Sequence, residues 1–206
     1  MDYYRKHAGY AVLKKKLYRR YEKDTVERIW DSANTRLEKL LEEYHDVPKQ
    51  QKRHVIGNIL PRIAMYYSMK EELEEDAMNL LEWTISKNGT KVGDLLHSLT
   101  ALPGMKSLFM KVFKRMTVKM FGPSAGFKHT IYPTDKNELR FDITHCPYHQ
   151  YCVKCGCPEL THTFCISDVY CYGNLSGIRF ERTKTLGTGG DCCDFHLIIE
   201  KSENYV

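Results

Sequence analysis

At 206 residues, 42% hydrophobic and 28% charged, the chain holds enough apolar material for a folded core, as one domain or as a helical part fused to a smaller mixed one. No apolar run approaches the roughly 18–20 residues of a membrane span, and the polar start Met1-Asp2-Tyr3-Tyr4-Arg5-Lys6-His7 shows no signal-peptide pattern, which argues for a cytoplasmic protein. The net charge of +5 is uneven, with 23 Lys and Arg against 16 Asp and Glu in residues 1–125 and 8 against 10 beyond, but runs such as Glu71-Glu72-x-Glu74-Glu75-Asp76 interrupt the positive side and argue against nucleic acid.

Asp24 is placed to cap a helix whose apolar residues recur as Val26, Ile29, Trp30, Ala33, Leu37, Leu40, Leu41 and Tyr44. Val47-Pro48 ends it. Pro48 suits the first position of the next helix, which runs through Val55, Ile56, Ile59, Leu60 and Ile63 with a kink at Pro61. A helix over 71–86 is expected to stop at Asn88-Gly89, with Thr90 capping a short one through Val92, Leu95, Leu96 and Leu99. After Pro103-Gly104, the stripe Met105, Leu108, Phe109, Val112, Phe113, Met116, Met120 reads as the inner face of a core helix rather than a membrane or partner grip.

Gly122-Pro123-Ser124-Ala125-Gly126 breaks the chain, and the period then changes. Strands are expected at 127–132 and 138–144, short helices from near Cys146 and Pro158, and closing strands at 177–185 and 193–200. The fold class is therefore α+β: an N-terminal helical region, 1–121, packed on a small antiparallel sheet with inserted short helices, 127–206, as one compact unit.

All eight cysteines lie between Cys146 and Cys193. In a reducing compartment such a cluster points to catalysis, metal binding or burial before disulfides. Pro147 in the first helical position puts Cys146 at an N-cap, where free N–H groups and the helix dipole favour a thiolate. His149 has the spacing to reach back to it, which makes a Cys/His nucleophile pair; a buried cysteine beside a surface histidine is the alternative. Cys165 and Asp168 share a helix face. Asp168 there has three readings: it orients a base, activates a water or satisfies nearby backbone.

Ile178, Phe180 and Arg182 point to one side of their strand, so Arg182 faces inward and needs a partner. A bound carboxylate and an internal salt bridge serve equally well. Cys193, Phe195, Leu197 and Ile199 share the core face of the last strand. For zinc, Cys152-x-x-Cys155-x-Cys157 offers one knuckle without a second. His145, His149 and His162 are the residues to complete it in three dimensions, and a second set is Cys146, Cys165, Cys193 and His149. No cofactor is expected, with zinc as the alternative.

The ordered set Cys146-Pro147-Tyr148, Phe164-Cys165-x-x-Asp168, Arg182-Thr183-x-Thr185-Leu186-x-x-Gly189 and Cys193-Asp194-Phe195 resembles the L-2-amino-thiazoline-4-carboxylic acid hydrolase family. The closing Gly…Cys-x-Phe strand also resembles 4-vinyl reductase-type small-molecule-binding domains. The first resemblance implies hydrolytic opening of a cyclic amidine, a C–N bond hydrolysis on a small carboxylated substrate. Cys146 would attack the amidine carbon, or a water activated by His149 or Asp168 would do so. Arg182 would hold the carboxylate, with Cys165, Cys193, Tyr148 and Thr183 around the substrate. A non-enzymatic binding or sensor domain and a zinc-stabilised domain are the other readings. The expected partner is a small molecule, and a homo-oligomer is compatible with the sequence.

Overall fold

The computed structural model describes residues 2–200; Met1 and residues 201–206, the outer ends of the two expected regions, lie outside the described residues. Helices α1 (Ala8–Tyr18) and α2 (Lys23–Glu43) come first. They lead into one helical run, α3, made of Lys52–His54, a π-helical turn Val55–Ile59 and Leu60–Leu73. Then come α4 (Asp76–Thr100) and α5 (Met105–Met120). Glu22 takes the N-cap of α2, and Asp24 sits in the first turn, where a carboxylate still complements the dipole.

Pro61 has no N–H to offer the Gly57 carbonyl four residues back, and a π-helical turn lies just before it, where the ladder is interrupted. The Tyr3 hydroxyl donates to the Gly57 carbonyl at 3.3 Å, and the Tyr4 hydroxyl donates to the Pro61 carbonyl at 2.8 Å. The N-terminal segment is thereby fastened to α3.

The stop expected at Asn88-Gly89 is absent, because α4 runs unbroken through it. Gly89 and Gly93 instead face Tyr170 on the helix packed against α4. A Cβ at 89 would stand 2.6 Å from the Tyr170 Cβ, and one at 93 would stand 2.4 Å from the Tyr170 carbonyl oxygen. Glycine here permits a close helix approach rather than ending a helix. The break falls earlier, at Glu74, whose φ is 49°. The stripe on α5 is also only partly an inner face. Phe109 and Phe113 pack toward the sheet, while Leu108, Val112 and Met116 stay exposed.

The second region holds β1 (Lys128–Ile131), β2 (Glu138–His145), α6 (Pro147–Lys154), α7 (Thr161–Tyr172), β3 (Ile178–Glu181) and β4 (Cys193–Ile199). The sheet order is β1-β2-β4-β3 and every neighbour is antiparallel, so the fold is α+β. Phe141 pairs with Phe195 in register and their rings stack at 4.7 Å. Period-two alternation puts Leu139, Phe141 and Ile143 on the same covered face as Cys193, Phe195 and Leu197. One apolar cluster lies within the helices around Ile29, Trp30, Ile63 and Met65; a second joins the sheet to α5. Tyr148 packs against both. Among the described residues, no helix is long and apolar enough to cross a membrane.

Candidate active site

A cavity of about 200 Å³ opens where the two clusters meet. Phe121, Phe127, Phe141, Phe195, Phe164 and Tyr172 form much of its wall. Its polar groups come from both regions: Asn58 and Arg62 from α3, and Cys146, Tyr148, Cys165, Ser167, Asp168, Arg182 and Cys193 from the second. An apolar cavity with a few convergent polar groups is the usual form of a small-molecule site.

Arg182 faces inward, with its side chain 6% exposed. Its Nη1 donates to Asp168 Oδ2 at 2.8 Å and its Nη2 to the Cys165 carbonyl at 2.8 Å. Of the two partners expected for it, the structure supplies the internal one.

Cys165 is the acidic thiol of the site. The neighbouring Cys193 S–H, the Thr185 hydroxyl, the Arg182 charge and the Gly187 N–H outweigh burial and hold it well below the ordinary thiol range. Gly187 is needed for this approach, since a Cβ there would stand 3.0 Å from the Cys165 sulfur and 2.8 Å from Thr161 Cγ2. Cys193 keeps its proton. Its hydrogen bond to Cys165 raises its own pKa, although the Leu186 N–H donates to its sulfur at 3.3 Å. Burial pushes the Asp168 carboxyl up to about 7; the nearby Cys165 adds to this, and Arg182 opposes it. One guanidinium therefore serves two acids.

Cys146 does sit at the N-cap of α6. The backbone N–H groups of Tyr148 and His149 favour its thiolate without closing a capping bond, but burial wins and pushes the thiol up to about 12. The depressed thiol expected at Cys146 is found at Cys165. The His149 ring does not reach the cavity; its Nδ1 lies 3.4 Å from Thr161 Oγ1. Thr183 is also elsewhere, donating from N and Oγ1 to Asp194. Of the zinc set, Cys146, Cys165 and Cys193 line the cavity and His149 does not, and among the described residues no three His, Cys, Asp or Glu side chains form a metal-binding group. All eight cysteines are free thiols.

Tyr148 is oriented by a residue the sequence reading passed over. His54 Nε2 lies 3.0 Å from the Met120 carbonyl, which can only accept, so Nε2 carries the proton. His54 Nδ1 is then the acceptor for the Tyr148 hydroxyl at 2.9 Å. Burial lowers the His54 pKa and favours this neutral form. Asn58 and Arg62 were missed as well. The available signal for Arg62 was the middle of α3, where Ile59, Leu60, Ile63, Ala64 and Met65 around it are all buried. A cation flanked in this way, unlike the exposed Lys52, Arg53 and Lys70 at the two ends of the helix, lies against the core.

The model of the L-2-amino-thiazoline-4-carboxylic acid hydrolase family matches residues 52–197. The chain belongs to this family. Among curated proteins none matches it. The stretch shared with the L-2-amino-thiazoline-4-carboxylic acid hydrolase family starts at α3 and ends within β4, so it contains every residue that lines the cavity and leaves out α1 and α2.

Proposed function

We propose that the chain is a hydrolase that opens a cyclic amidine, or a related C–N bond, of a small carboxylated substrate through a cysteine thiolate. The observation that carries this reading is the grouping of Cys165, Asp168 and Arg182 in one small aromatic cavity, with the thiol lowered and the carboxyl raised. Two acids displaced in opposite directions divide nucleophile and proton donor between them near neutral pH.

In this mechanism the Cys165 thiolate adds to the amidine carbon. Asp168 gives its proton to the ring nitrogen as the C–N bond breaks, leaving a thioimidate on the enzyme. Water adds to the thioimidate carbon, the Asp168 carboxylate takes a proton from it, and the Cys165 thiolate leaves. Arg182 holds Asp168 and the Cys165 carbonyl in place. Cys146 and Cys193 stay protonated and line the pocket.

The test is turnover of L-2-amino-thiazoline-4-carboxylate, followed by NMR as the ring opens, with C165S and C146S beside the wild type. Ring opening that C165S abolishes and C146S retains supports the reading. Loss in C146S alone would move the nucleophile to the N-cap. Saturable binding without turnover would make the protein a binding module instead.

A further inference from the structure

We propose that Arg62 is the anchor for the carboxylate of the substrate, and that Arg182 is not. This rests on the hydrolase reading only for the identity of the ligand, since a guanidinium without a carboxylate partner is a property of the cavity itself. Two guanidinium groups line the cavity. Arg182 already has a carboxylate, Asp168, at 2.8 Å. Arg62 has none among the described residues; its charged and polar neighbours are Tyr10, Tyr148 and Cys152.

Arg62 is held, but not neutralised. Its guanidinium carbon lies 3.9 Å from the centre of the Phe164 ring, and its Nη1 donates to the Thr163 carbonyl at 3.2 Å and approaches Thr163 Oγ1 at 3.4 Å. The Tyr10 hydroxyl accepts another N–H. The guanidinium has five N–H donors, so donors remain for a ligand. A half-buried cation without a counter-ion is costly. Stacking on a ring offsets part of that cost and also fixes the plane of the group. A fixed plane with free donors suits the two oxygens of a carboxylate.

The placement fits the chemistry. Arg62 and Cys165 line the same cavity of about 200 Å³, so one small substrate can meet both anchor and thiol. Arg62 and Asn58 also line a second hollow of about 170 Å³ beside His7, Tyr10 and Asn88, which makes Arg62 part of the wall between the two spaces. The ligand class is a small ring acid carrying one carboxylate, bound with its ring toward Cys165.

The experiment is calorimetric titration of the full chain with thiazolidine-4-carboxylate, a saturated ring acid without an amidine carbon to attack, and with its carboxamide. The wild type should bind the acid and discriminate against the amide, and R62M should weaken acid binding by about 100-fold. R62K, which keeps the charge but not the fork, should lie between them and decides the matter if R62M fails to fold. Equal affinity of wild type and both variants for the acid, or no binding of the acid by the wild type, would overturn the anchor. Arg62-dependent binding in a protein that opens no amidine would leave the anchor standing and remove the hydrolase. Turnover indifferent to Arg62 would do the reverse.

Discussion

Two pairs of neighbouring thiols sit in the C-terminal third, and they differ in what surrounds them. In each, one S–H donates to the other sulfur, so Cys157 and Cys165 are lowered while Cys152 and Cys193 are raised. Cys152 and Cys157 are sealed in the helical core at 0% exposure. Cys165 lines a cavity and has the Arg182 guanidinium beside it. Pairing decides which sulfur holds the proton; access and a nearby cation decide whether the other sulfur is a reagent.

The sharpest way to break this comparison is to remove one sulfur from each pair. C165S should lower kcat by at least about 1,000-fold, as loss of a nucleophile does. C157S should leave kcat near wild type in steady-state assays, and equal losses in the two variants would end the distinction. D168N comes next, with kcat expected to fall about 100- to 10,000-fold.

The pH profile adds the signs. Rate should rise as Cys165 loses its proton, at a pH below the ordinary thiol range, and fall as Asp168 loses its own near 7. D168N should flatten the alkaline limb. A wild-type profile still climbing above pH 8 would exclude Asp168 as proton donor.

Thiol mapping is a gentler probe. With iodoacetamide at pH 7, Cys165 should react about tenfold faster than a free cysteine, and Cys152 and Cys157 should react only in denaturant. The smallest effect is on stability. C157A should cost about 1–3 kcal/mol in urea denaturation, through lost packing and a lost sulfur hydrogen bond, with the cavity chemistry unchanged.

Local pattern carried much of the second region. The alternation of β3, continued one residue past its end, turns Arg182 inward, and Cys146-Pro147 starts α6 where a proline-led helix should start. What local pattern could not carry was which partner each group meets. Cys146 has the backbone position of a reactive thiol, but burial there comes from distant elements and reverses the expected shift. Asn88-Gly89 has the letters of a helix end, and only the presence of Tyr170 across the interface shows why glycine is there. Arg62 and His54 read as ordinary polar positions until the elements packed against them on α3 are seen.

The glycines of α4 have a consequence for how sequence change is tolerated. Gly89 and Gly93 do not line the cavity, yet they seat the backbone of α7, the helix that carries both Cys165 and Asp168. Two missing methyl groups thus set the height of the Cys165 sulfur over its cavity. In a saturation mutagenesis screen these remote positions would score alongside the cavity residues, and selection would act on them as though they belonged to the chemistry.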